Sequence, residues 1–140
     1  MTNRPVLSIC TRCQDGREAD YGSSRGGTRL VTSVLTRMQS SLDKSFDLRG
    51  VACMSQCKRP CITAVCANGC FTYIFGDLDS ENSAHIDALL EFLSIYVEAP
   101  EGFVERKNRP IPLQKAILGR LPPLISSSAL VAQIGSEITV

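Results

Sequence analysis

Residues 53–75 read Cys53-Met-Ser-Gln-Cys57-Lys-Arg-Pro60-Cys61-Ile-Thr-Ala-Val-Cys66-Ala-Asn68-Gly69-Cys70-Phe-Thr-Tyr-Ile-Phe75, and this stretch decides the fold. β-Branched and aromatic residues on both sides of Asn68-Gly69 predict two antiparallel strands, 61–66 and 71–75. Asn-Gly is the pair favoured in a two-residue type I′ hairpin turn, which needs positive φ at both central positions. A turn of that length sets Ala67 opposite Cys70 and Cys66 opposite Phe71, so Cys66 and Cys70 point to opposite faces. They are not placed there for a disulfide.

Upstream, Val6–Cys10 is short, apolar and β-branched, and predicts a buried strand. Gln14–Gly27 is Gly-rich and charged and reads as a loop. A helix is predicted over 28–42, with Thr28 as N-cap and a stripe of Leu30, Val31, Val34, Leu35, Met38 and Leu42. Phe46–Ala52 predicts another strand, with Phe46, Leu48 and Val51 facing inward.

Downstream, Ser80 is the expected cap of a helix running to about residue 97, with Ile86, Leu89, Leu90, Leu93, Tyr96 and Val97 buried. The order β-α-β-β-β-α predicts an α/β, thioredoxin-like sheet with helices on both faces, filling residues 1–98. Five prolines between Pro100 and Pro123 predict an irregular Pro-rich C-terminal arm over 99–140, with one helical turn near 113–118.

At 140 residues and 44% hydrophobic, the chain can bury a core of its own. The net charge of +1 and the absence of Trp argue against a nucleic-acid surface. No apolar run reaches the roughly 20 residues of a membrane span, and the first residues lack a signal-peptide pattern. A cytoplasmic protein is expected.

Seven cysteines, an odd number without an export signal, make a disulfide framework a poor explanation. Cys10-x2-Cys13 and Cys53-x3-Cys57, 39 residues apart, instead offer two thiolate pairs from separate loops. Four such thiolates can hold a [2Fe-2S] cluster, one pair to each iron, or a tetrahedral Zn²⁺. Cys61, at the mouth of its strand, is the reserve ligand. His85 is the only histidine, which excludes a Rieske centre and a His₂Cys₂ finger within this chain. It reads as a solvated helix residue.

Residues 53–65 resemble the thioredoxin-like [2Fe-2S] ferredoxins and are similar to the small cluster-bearing subunit of respiratory complex I. Nearly the whole chain resembles the DUF1636 family of predicted metal-binding proteins. Its pattern is an early Cys-x2-Cys (Cys10, Cys13), a Cys-Met-x-x-Cys-x-Arg-Pro-Cys loop (Cys53–Cys61) and a basic, Pro-rich tail (Arg106–Pro123). The resemblance implies a cluster on Cys10, Cys13, Cys53 and Cys57 and a one-electron carrier, not an enzyme. It also implies a link to metal or cobalamin metabolism, which keeps a zinc or metal carrier as the alternative.

A thiol–disulfide oxidoreductase using Cys10 and Cys13 is a further alternative. Arg12, Arg17, Lys58 and Arg59 lie close in sequence to the candidate ligands and would favour a reduced cluster and an acidic redox partner. A homodimer is a second expected association. Glu105-Arg-Lys-Asn-Arg109, with Lys115 and Arg120, forms a basic cluster that could dock a partner.

Overall fold

The computed structural model describes residues 4–39 and 45–135. Five strands make one mixed sheet: β1 (Val6–Cys10), β2 (Asp47–Val51), β3 (Thr63–Cys66), β4 (Thr72–Phe75) and β5 (Ile117–Leu121). Their order across the sheet is β2-β1-β3-β4-β5. β1 and β2 are parallel, and the other neighbours are antiparallel. A parallel pair needs a long crossover, and α1 (Gly26–Gln39) supplies it. α2 (Ser83–Glu98) follows β4, and α3 (Ile111–Lys115) leads into β5.

The strand register sorts the core. Leu7, Val65 and Tyr73 lie in one row across β1, β3 and β4, and Ile9, Thr63 and Phe75 lie in the next. All six are fully buried. Against these rows α2 sets Phe92, edge-on to Tyr73 at 5.0 Å and to Phe75 at 5.3 Å between ring centroids. Tyr96 stands edge-on to Tyr73 at 5.9 Å. Such aromatic pairs add to what burial alone contributes.

α1 packs beside α2 on the same face. The Ser33 hydroxyl donates to the Ser80 carbonyl at 2.8 Å, and Arg37 pairs with Asp87. The expectation of helices on both faces is therefore corrected. The reason is the connection 52–62, which carries no helix and runs as a loop past the Cys10 end of β1. On the opposite face Arg49, Ser8, Ala64, Ile74 and Gly119 form a row across all five strands. There the Arg49 guanidinium lies over β1, with Nε donating to the Ser8 hydroxyl at 2.7 Å.

Several local expectations shift. The hairpin turn is longer than two residues: Val65 pairs with Tyr73, Cys70 N–H donates to the Ala67 carbonyl at 3.1 Å, and of Asn68 and Gly69 only Gly69 has positive φ. A type I′ turn is thereby excluded. α1 starts at Gly26 rather than at a Thr28 cap, and the expected end of that helix, with Leu42, lies outside the described residues. α2 is capped by Asn82, whose side chain accepts from Ala84 and His85 N–H. Ser80 is instead buried beneath Arg29. In α2 the buried stripe includes Phe92 and leaves Val97 exposed.

The largest correction concerns residues 99–140. Residues 99–121 are no irregular arm, because α3 packs near α2 and β5 pairs along β4 from Thr72–Leu121 to Phe75–Ile117. Proline hid this: Pro110 and Pro112 lie at the start of α3, where a missing N–H costs nothing. Irregular chain begins only after Leu121, where Glu101 accepts hydrogen bonds from Ser126 and Ser127. Among the described residues no helix is long and apolar enough to cross a membrane.

The aromatic cluster gives a direct test of this core. Phe92→Ala is expected to cost about 3–5 kcal/mol in urea unfolding. Val97→Ala, on the exposed side of the same helix, should stay within about 0.5 kcal/mol of the parent.

Candidate metal centre

β1 ends at Cys10, and the chain turns through Thr11 and Arg12 to Cys13. Four contacts fix this turn. Thr11 N–H donates to the Val51 carbonyl at 2.8 Å, Gly27 N–H to the Cys13 carbonyl at 3.0 Å, and the Thr28 hydroxyl to the Thr11 carbonyl at 3.0 Å. Arg25 Nη1 donates to the Arg12 carbonyl at 3.1 Å. The first turn of α1 comes so close that a Cβ on Gly27 would lie 1.8 Å from the Cys10 carbonyl oxygen. Only glycine permits that approach.

Cys10 and Cys13 are both buried, and their thiols interact directly. Burial works against a charge on Cys10. The backbone N–H groups of Arg12, Met54 and Cys13 and the thiol of Cys13 outweigh it, and the Cys10 pKa falls below the ordinary thiol value. Cys13 is pushed up to about 11, first by burial and then by Cys10 and Cys57, although Ile62 N–H points at its sulfur at 3.5 Å. The pair therefore holds one thiolate more readily than two.

Cys53 and Cys57 are exposed on the loop after β2. That loop reaches the first pair through Met54 N–H, which faces the Cys10 sulfur, and through Cys57, whose charge opposes ionisation of Cys13. Cys61 is fully buried behind them, and burial first, then Cys13, raises its pKa to about 12. Cys66 and Cys70 belong to the hairpin at the far end of β3, beside Tyr96. Among the described residues no three Cys, His, Asp or Glu side chains converge on one point as ligands of a single metal ion.

An ion-pair network braces the loop that follows. Arg29 is buried, with Nη2 2.6 Å from Asp15 and 3.5 Å from Glu18, and its guanidinium lies 4.2 Å from the Tyr21 ring centroid. Arg17 bridges Asp15 at 3.0 Å and Asp79 at 2.5 Å. Arg59 pairs with Asp77 at 2.5 Å. Two of the four cations expected to face a cluster, Arg17 and Arg59, are thus already matched by carboxylates. Arg12 and Lys58 stay exposed and make no ion pair among the described residues. The His85 Nδ1 accepts Asp79 N–H at 2.9 Å.

The sequence reading missed Gly27, Met54, Ile62, Asp15 and Arg29. The Gly26-Gly27 pair was the one available signal for a close backbone approach. Which peptide N–H groups face a sulfur has no sequence signature.

A mixed sheet with α1 and α2 on one face and a buried Cys-x2-Cys at the end of β1, inside the sheet, defines a thioredoxin-like α/β protein. The chain belongs to the family described as protein of unknown function (DUF1636), whose model matches residues 7–123. Its fold is similar to that of a thioredoxin-like [2Fe-2S] ferredoxin from Aquifex aeolicus, at 12% identity and a TM-score of 0.55. That match covers 89% of this chain and all of the ferredoxin. No curated protein matches the sequence.

Two outcomes are expected here. Gly27→Ala forces the first turn of α1 away from Cys10, and thermal unfolding should show a lower midpoint with Cys10 and Cys13 labelled faster by a thiol reagent. Asp79 should contribute stability that is lost in acid. Burial raises its pKa, but hydrogen bonds from Arg17 and Glu81 N–H prevail and lower it. The stability it contributes is complete above the unfolded value of about 3.9 and is lost as pH falls through the lower folded value. Urea unfolding of Asp79→Asn should thus lose stability less steeply than the parent below about pH 4.

Proposed function

We propose that the chain holds a [2Fe-2S] cluster on Cys10, Cys13, Cys53 and Cys57 and passes single electrons to a partner protein. The observation that carries this reading is the meeting of two distant loops at the buried cysteine pair. Ile62 N–H, at the end of the loop that carries Cys53 and Cys57, points at the Cys13 sulfur at 3.5 Å, and Cys10 N–H donates to the Ile62 carbonyl at 3.0 Å.

The donor set suits such a group. Peptide N–H groups directed at sulfur stabilise thiolate and tune the potential of a bound centre. A two-iron rhomb takes its thiolates as two pairs, whereas Zn²⁺ draws four sulfurs to about 2.3 Å from one point. The described cysteines form a buried pair and an exposed loop pair rather than one convergent quartet. When bound, a cluster of this kind supplies one-electron chemistry. The chain shields Cys10 and Cys13 from water, fixes their turn against α1 and β2, and leaves Cys53 and Cys57 at the surface. Arg12 and Lys58 give that rim a positive charge fitted to an acidic partner.

The lowered Cys10 and raised Cys13 also suit a thiol–disulfide couple. Exchange requires the attacking sulfur to reach a substrate disulfide, and Cys10 is only 4% exposed. Burial therefore favours the ligand role.

Anaerobic purification followed by visible absorption and iron and sulfide analysis tests the proposal. Two irons and two sulfides per chain are expected, with loss of colour after Ser replacement of Cys10, Cys13, Cys53 or Cys57 and retention after Cys66→Ser or Cys70→Ser. Stoichiometric zinc in a colourless protein would overturn it, as would a full cluster retained by Cys13→Ser.

A further inference from the structure

Away from the cysteines, a cavity of about 470 Å³ opens between β5 and the segment 103–109. Phe103, Arg106, Arg109, Ile117, Gly119 and Arg120 line it. Its size falls within the range of small-molecule sites.

Arg109 is the unusual member. It is 6% exposed, its Nε has no hydrogen-bond partner, and it makes no ion pair among the described residues. Burial works against its charge; Tyr73 offsets part of this, and Arg120 and Arg106 add to it. An arginine stays protonated in a protein, so it remains a buried cation with an unused donor. Buried charges are ordinarily paired.

The neighbours deepen the deficit. The Arg120 guanidinium lies 4.3 Å from the Phe103 ring centroid, with Nη1 donating to the Val104 carbonyl at 3.5 Å. Neither Arg106 nor Arg120 has a carboxylate partner among the described residues. The one carboxylate lining the cavity, Glu105, is exposed and paired outward with Lys107 at 3.6 Å. Three arginines thus line one cavity with a single carboxylate, and none of the three is paired with it. Phe103 and Ile117 make the rest of the wall apolar.

We propose that this cavity binds a small organic phosphate, with the phosphate on Arg106, Arg109 and Arg120 and the organic part against Phe103 and Ile117. A dianionic head matches three cations better than a single carboxylate does, and guanidinium forks pair with phosphate oxygens in bidentate fashion. The site shares no residue with the candidate cluster ligands and stands or falls apart from them.

Titration calorimetry of the full chain at constant ionic strength, with phenyl phosphate, inorganic phosphate and benzoate as probes, tests it. Phenyl phosphate is expected to saturate one site at least about tenfold more tightly than either inorganic phosphate or benzoate. Arg106→Gln removes an exposed guanidinium, and Arg106→Glu puts a negative charge in its place. Each is expected to weaken phenyl phosphate about tenfold or more while unfolding at the temperature of the parent. No saturable heat with phenyl phosphate would overturn the proposal. So would equal affinity for benzoate, or affinity unchanged in both variants.

Discussion

The approach of Gly27 to the Cys10 carbonyl is the constraint on which the cysteine end of the molecule depends. It lets the first turn of α1 sit directly on the turn that follows β1. Three further hydrogen bonds, to Val51, Cys13 and Thr11, then hold that turn between helix and edge strand. Met54 and Ile62, from the other side, close the remaining donors onto the two sulfurs. The cysteine pair is therefore set by packing of backbone against backbone. A bulkier residue at position 27 would disturb every one of these contacts together.

Electrostatics follows from the same packing. Asp15 comes just after the cysteine turn and meets Arg29 and Arg17 there, so the loop 14–25 is pinned by charge where it lacks apolar residues. Arg29 is buried, and it is tolerated because two carboxylates, the Ser24 carbonyl and the Ser80 hydroxyl receive its donors. This matching separates it from Arg109, whose Nε is left without an acceptor. The same residue type is thus a structural brace in one place and a binding group in waiting in the other.

Much of this was legible in the sequence because the signals were local. The strands at 6–10, 47–51, 63–66 and 72–75 and both long helices follow from apolar period and β-branched runs. The two cysteine pairs were readable from spacing alone, since paired thiols in a chain without an export signal have few uses. What stayed hidden depended on tertiary context. β5 reads Ile-Leu-Gly-Arg-Leu, five residues amid prolines, and becomes a strand only because β4 offers it an edge. The side of the sheet taken by α1 and α2 is a matter of chain topology, which no helical period records. Arg59 looked like a free cation because its carboxylate partner, Asp77, lies 18 residues away in sequence, and the second partner of Arg17, Asp79, lies 62 residues away.

The position of β5 also determines which backbone groups the sheet leaves at its edge. β4 carries Tyr73 and Phe75, the centre of the aromatic core, and its outer hydrogen-bonding groups are satisfied by β5. A chain cut at residue 98 would leave those groups as a bare apolar border, the template on which strands of other molecules add and fibrils or precipitates grow. In the intact molecule the border is moved outward to a short strand bearing a glycine and an arginine, a poorer template. Residues 117–121 therefore cover the edge of β4 as well as forming a wall of the proposed phosphate cavity.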